Sequence, residues 1–175
     1  SHEPIVPHDA PADGVAAWTS ELFFSGFPTT AIDVEGTFYY LDSAGVLQAR
    51  RVDGSTKFSI PLGASGTYSV TIGTSTAYVV HPLAGGFPAI TAINLSDGAI
   101  LWQRLTICSA GARTPALSPD GMTVYAVEPT CGPAVPLLRA INAADGTLKW
   151  QQSVLASAPP LVAPDGEIFL ADAVS

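Results

Sequence analysis

Apolar residues along this chain come in short runs with no sustained helical period. Runs of four to eight β-branched and aromatic residues recur, each closed by Gly, Pro, Asp or Ser, which is the pattern of strands joined by turns. Thr37-Phe38-Tyr39-Tyr40-Leu41, Ala77-Tyr78-Val79-Val80, Thr123-Val124-Tyr125-Ala126-Val127 and Glu167-Ile168-Phe169-Leu170 are the clearest. The pattern predicts an all-β protein.

The runs repeat at a longer period. Ala92-Ile93-Asn94-Leu95-Ser96-Asp97-Gly98-Ala99-Ile100-Leu101-Trp102 returns as Ala140-Ile141-Asn142-Ala143-Ala144-Asp145-Gly146-Thr147-Leu148-Lys149-Trp150. A degraded copy, Val52-Asp53-Gly54-Ser55-Thr56-Lys57-Phe58, ends in Phe, and another opens the chain as Asp13-Gly14-Val15-Ala16-Ala17-Trp18. The closing aromatics Trp18, Phe58, Trp102 and Trp150 are thus spaced by roughly 40 to 50 residues, the length of one four-stranded propeller blade. Asp-Gly between two β runs offers the positive φ of a tight hairpin. Ser118-Pro119-Asp120-Gly121 and Ala163-Pro164-Asp165-Gly166 read as turns between a blade's first and second strands. A closing Trp wedged between blades buries ~150–250 Å², worth at most about 4–6 kcal/mol.

The predicted strands are 28–33, 37–43, 46–51 and 55–60 for one blade, then 66–72, 75–81, 89–94 and 99–105, then 112–118, 122–128, 137–142 and 147–153. Strands at 158–163 and 167–172 begin a fourth. Blades therefore cover 19–60, 61–106 and 107–154, and a split blade combines 155–175 with 1–18, where Glu3 to Trp18 reads as its outer two strands. An unpaired two-stranded edge is an aggregation hazard, so the halves are expected to pair, in cis or with another subunit. A third reading makes the chain a segment of a longer propeller.

These residues resemble a known family. Ala-Ile-Asn-x-x-Asp-Gly-x-x-x-Trp is similar to the tryptophan-docking repeat of pyrroloquinoline-quinone-type propellers, which include quinoprotein alcohol dehydrogenases and non-enzymatic outer-membrane assembly lipoproteins. The resemblance implies a blade architecture. Family members typically carry seven or eight blades, whereas this chain has material for four. In the dehydrogenases, a catalytic Asp, calcium ligands and a vicinal disulfide hold the quinone. The sequence has no adjacent cysteines and no matching cluster of Asp, Glu and Asn, so no cofactor and no catalytic residue is assigned.

Charge and chemistry narrow the function further. Charged residues are 13% of the 175, with seven Lys and Arg against fifteen Asp and Glu, for a net charge of −8. That argues against nucleic acid and anionic membranes, and the Arg50-Arg51 pair is too small to reverse it. A surface so poor in charge suits cover by glycans or by neighbouring subunits. No run of about 18 apolar residues predicts a membrane span. The N-terminus opens on a polar, proline-containing segment, so on a secreted reading any leader has already been removed.

Cys108 and Cys131 fall in loops expected on one face of the third blade, where a disulfide would close about two dozen residues and contribute roughly 3 kcal/mol. Such a bond implies an extracellular or periplasmic setting. Asn94-Leu95-Ser96 is a glycosylation sequon, though its Asn is also the repeat's own. His2, His8 and His81 lack metal-ligand spacing, and the Asp-Gly carboxylates are dispersed one per blade. The expectation is a secreted, non-catalytic structural or interaction module whose partner is itself, another extracellular protein or a glycan. The alternatives are part of a larger quinoprotein-like dehydrogenase, or a small sugar- or peptide-binding propeller using Phe27, Tyr68 and Phe87.

Overall fold

In the computed structural model the described residues are 30–42, 44–63, 69–83, 86–107, 111–129, 135–156 and 158–171. They form fourteen strands and, among the described residues, no helix. The first antiparallel sheet holds β1 (Ala31–Ile32), β2 (Phe38–Leu41), β3 (Val46–Arg50) and β4 (Thr56–Pro61) in sequence order. The second holds β5 (Ser69–Ile72), β6 (Thr76–Pro82), β7 (Pro88–Asn94) and β8 (Ile100–Leu105). The third holds β9 (Ala116–Leu117), β10 (Thr123–Glu128), β11 (Leu137–Asn142) and β12 (Leu148–Ser153). A hairpin of β13 (Leu161–Val162) and β14 (Ile168–Phe169) follows. Three four-stranded sheets stand where three blades were predicted, with their outer strands beginning one residue later than expected, and residues 1–18, read as the other half of a split blade, lie outside the described residues.

Turn chemistry explains the boundaries. Gly121 N donates to Ser118 O at 2.8 Å and Gly166 N to Ala163 O at 2.9 Å, so both Pro-Asp-Gly segments turn where predicted. The Asp-Gly turns differ from the expected two-residue hairpin. Gly98 has φ +78° and Gly146 φ +74°, while no described non-glycine residue has positive φ. The aspartate instead caps the loop: Asp97 Oδ1 accepts from Ala99 N and Asp145 Oδ1 from Thr147 N, both at 2.9 Å. The loop closes through Asn, with Asn142 N donating to Thr147 O and Gly146 N to Asn142 O. Only the glycine needs the left-handed region, so one Gly suffices where a two-residue turn would need positive φ twice.

The core lies between the sheets. Tyr39, Leu41, Leu47 and Ala49 of the first blade pack against Ala77, Val79, Ile93 and Leu95 of the second. Tyr78, Val80, Ile90, Ala92 and Trp102 of the second pack against Val124, Ala126, Ile141 and Ala143 of the third. The second blade is therefore apolar on both faces, as its near-continuous Val, Ile and Ala runs require. The innermost strands touch in series, β1 against β5 and β9 against β13.

Candidate interaction site

Registry places the closing aromatics in equivalent rows across the sheets. Tyr39 pairs with Ala49 and Ala49 with Phe58 in the first blade. Tyr78, Ala92 and Trp102 form the second row, and Tyr125, Ala140 and Trp150 the third. All three middle alanines are fully buried. A methyl on the third strand leaves room for the rings on either side, whose centroids are 6.0, 5.9 and 6.0 Å apart. A register shift follows each alanine and turns the outer strand.

From two of these rows the aromatic reaches the Asp-Gly turn of the next blade. The Trp102 ring lies on Gly146, where a Cβ would stand 2.7 Å from its Cε3. Its Nε1 donates to Ala143 O at 2.9 Å, and Arg104 Nη1 donates to Gly146 O at 3.2 Å. Phe58 meets Gly98 in the same way, where a Cβ would stand 3.0 Å from the ring. Phe has no N–H to offer the loop carbonyl, so the degraded copy keeps the packing and loses the hydrogen bond. The glycine thus serves twice, in backbone conformation and in ring clearance.

Trp150 departs from the pattern. It is 41% exposed where Trp102 is 9% exposed, and no Asp-Gly turn covers it among the described residues. All six residues of β12 are exposed, and β14, the outer member of the last hairpin, has no further strand beside it among the described residues. Leu155, Leu161 and Phe169 are exposed on the same end of the array. Among the described residues this end face is left open.

Two polar networks, which sequence reasoning missed, fasten the opposite face of the blades. His81 and Glu128 stand three residues beyond Tyr78 and Tyr125, and both are fully buried. His81 Nδ1 lies 3.2 Å from Pro82 O, which can only accept, so that nitrogen carries the proton. Its Nε2 then accepts from Thr91 Oγ1 at 2.8 Å, and Thr91 accepts from Gln103 at 2.9 Å. Burial pushes the imidazole below its ordinary value, against the opposing pull of the Pro82 and Leu62 carbonyls. Glu128 Oε2 accepts from Ile107 N at 2.9 Å and Oε1 from Arg139 Nη1 at 3.3 Å. A Glu closing a four-residue apolar run was the available signal.

The other sequence candidates fall as follows. Cys108, Cys131 and Trp18 lie outside the described residues, as do His2, His8, Phe27 and Tyr68. Asn94 ends β7, and its Oδ1 accepts from Ser96 N and Ser96 Oγ, each at 2.9 Å. Asn142 makes the matching turn to Ala144 N at 3.2 Å without any sequon, so the asparagine has a structural task in both blades. Phe87 is exposed, 64% of it.

The turns between first and second strands edge a hollow of about 380 Å³, lined by Ile32, Asp33, Ile72, Thr74, Leu117 and Asp120 among others. The lining mixes aliphatic side chains with Asp33, Thr74, Ser118 and Asp120 and holds no aromatic ring. Burial pushes the Asp33 carboxyl up, but hydrogen bonds from Tyr39, Thr37 and Glu35 together hold it below its ordinary value. Its oxygens are committed to Tyr39 Oη at 2.8 Å and to the turn amides. Among the described residues no three His, Cys, Asp or Glu side chains come together as metal ligands. No helix among them is long and apolar enough to cross a membrane.

Comparison with known proteins gives the same architecture. The family model for outer membrane protein assembly factor BamB matches residues 5–172. Among solved structures, BamB from Moraxella catarrhalis is 21% identical with a TM-score of 0.59, over 77% of this chain and 40% of that one. Hydrazine synthase from Kuenenia stuttgartiensis is 22% identical with a TM-score of 0.66, over 86% of this chain and 45% of that one. Quinohemoprotein alcohol dehydrogenase from Comamonas testosteroni is 16% identical with a TM-score of 0.52, over 80% of this chain and 22% of that one. A search of curated protein sequences finds no match. The chain thus spans less than half the length of each of these structures.

Proposed function

The chain belongs to the family of outer membrane protein assembly factor BamB, and on that premise we propose that it is a non-catalytic interaction module of the periplasm or cell exterior. The observation that carries this reading is the exposed Trp150 on an end face whose equivalents in the first two blades are covered by a neighbour's Asp-Gly turn. An aromatic ring half in water on an all-exposed strand, with a strand edge that no described residue pairs, is suited to receiving another β element. The chain's acidic balance and scarcity of charge fit a protein partner, or a glycan, over a nucleic acid or an anionic lipid surface. The Asp-Gly carboxylates are spent on backbone amides within their own turns, which leaves them poorly placed to ligate calcium.

The rival class is quinone-dependent oxidation, and a spectroscopic titration separates the two. Adding pyrroloquinoline quinone and Ca²⁺ to the purified protein should leave the quinone spectrum unchanged and produce no alcohol-dependent dye reduction. Saturable one-to-one uptake of the quinone with alcohol-dependent turnover would overturn the interaction reading.

A further inference from the structure

We infer that the outer edge of the second blade, strand β8, pairs with β8 of a second copy of this chain across a two-fold axis at Gln103. This edge lies apart from the end face around Trp150, and the inference goes beyond what that face receives.

Strands β4, β8 and β12 are the outer members of their sheets, and the aromatic rows align Phe58, Trp102 and Trp150 on them. The residues one before and three after each ring therefore occupy equivalent places. In the first blade these are Lys57 and Pro61, in the third Lys149 and Ser153, and in the second Leu101 and Leu105. Lysine and proline discourage another chain from pairing with an edge, one by its charge and the other by its missing N–H. Strand β8 has neither. Its one cation, Arg104, is turned inward, where Nη1 donates to Gly146 O at 3.2 Å. Leu101 is 50% exposed and Leu105 57%, with Ile100 beside them at 51%.

The edge is self-complementary. Thr106 N donates to Pro88 O at 2.9 Å, so the alternation of an antiparallel ladder directs the backbone groups of Gln103 and Leu105 away from β7. Leu101 has no partner on β7, because the register shifts beside it. Leucine, glutamine and leucine at 101, 103 and 105 read the same in both directions. Two antiparallel copies centred on Gln103 therefore set each Leu101 opposite the second copy's Leu105, on either side of facing glutamines. Moving the axis by one residue sets leucine against glutamine instead. The strand contains no Asp or Glu, so two chains of net charge −8 meet here without bringing carboxylates together. An exposed Leu or Ile offers on the order of 100 Å² of apolar surface, so Ile100, Leu101 and Leu105 of two copies bury about 600 Å². The paired main chains add to this and bring the contact towards the ~1,200 Å² at which stable interfaces begin. A reversible dimer is the form such an area supports.

The test is sedimentation velocity of the 175-residue protein across a dilution series. The expected result is a concentration-dependent equilibrium between the 18.0 kDa chain and twice that mass. Leu101→Lys and Leu105→Pro each install a residue that the first blade already carries at the equivalent place, and circular dichroism checks that the fold is kept. By symmetry each change enters the interface twice, and at about tenfold per lost contact each should weaken the dimer on the order of 100-fold. Adding Leu105→Glu to Leu101→Lys should recover about tenfold over Leu101→Lys alone, because each new ammonium then faces a carboxylate of the second copy. Monomers at every concentration, a dimer indifferent to Leu101→Lys and Leu105→Pro, one that Trp150→Lys dissociates instead, or no recovery in the double variant would each overturn the inference. None of these results bears on the quinone titration, so the two readings fail separately.

Discussion

Trp102→Ala removes the ring that joins the second blade to the third. The side chain is 9% exposed, packs at a tilt against Tyr78 with ring centroids 5.9 Å apart and donates to Ala143 O at 2.9 Å. Deleting a buried Trp to Ala costs about 3–5 kcal/mol, whereas a hydrogen bond to a neutral carbonyl contributes about 1 kcal/mol. Ring burial should therefore dominate. At about 2–4 °C per kcal/mol for a chain of this size, the melting temperature should fall by roughly 6–20 °C. Trp102→Phe keeps most of the ring and recreates the arrangement already found at Phe58, so its loss should stay near 1–2 kcal/mol. Urea denaturation followed by far-ultraviolet circular dichroism reads both. A shift of a degree or two for the alanine variant would mean that the docking does not hold the blades together. Equal damage from Phe and Ala would mean that the N–H, rather than the ring, carries the junction.

Three further outcomes follow from the same geometry. Gly146→Ala should destabilise by several kcal/mol, since a Cβ meets the Trp102 ring at 2.7 Å, while Gly121→Ala, at a similar φ of +70° but in open space, should cost about 1–2 kcal/mol; equal losses in paired melts would rule out ring clearance as the reason for Gly146. His81 is held neutral by burial, so its contribution is complete above its unfolded value of about 6.5 and is lost as the pH falls towards the depressed folded value; His81→Gln should flatten the stability profile below about pH 6.5, and an unchanged slope would place the titration elsewhere. Arg139→Ala leaves Glu128 buried with only the Ile107 amide, and should cost about 3–5 kcal/mol, recovered in large part by adding Glu128→Gln; the absence of recovery in a double-mutant cycle would refute the pairing.

Much of the blade architecture was legible because two local signals agree with the global fold. The β-branched runs and the Pro-Asp-Gly turns each mark a strand boundary on their own, and the recurrence of Ala-Ile-Asn with Asp-Gly and Trp sets the repeat. What the residues did not disclose depends on partners distant in sequence. The alanines at 49, 92 and 140 look like filler until registry sets each between two rings. Glu128 looks solvated until β11 brings Arg139 across and the connection after β8 brings the Ile107 amide. The Asp-Gly turn was read as a two-residue hairpin because that motif is common, while Asn142 and Thr147 close a longer loop. The β13–β14 hairpin stands where half a blade was expected; the exposure of Trp150 was not legible, since its motif is as intact as that of Trp102.

The one-blade-on docking gives the array a polarity like that of a zip fastener, with a tooth at one end of every unit and a notch at the other. A unit copied in tandem arrives with both, so an inserted blade meets its neighbours through ready-made joints and no existing joint has to be redesigned. Blade number is then written in no single blade. It is settled by the small rotation from each sheet to the next, which determines when the last tooth meets a free notch.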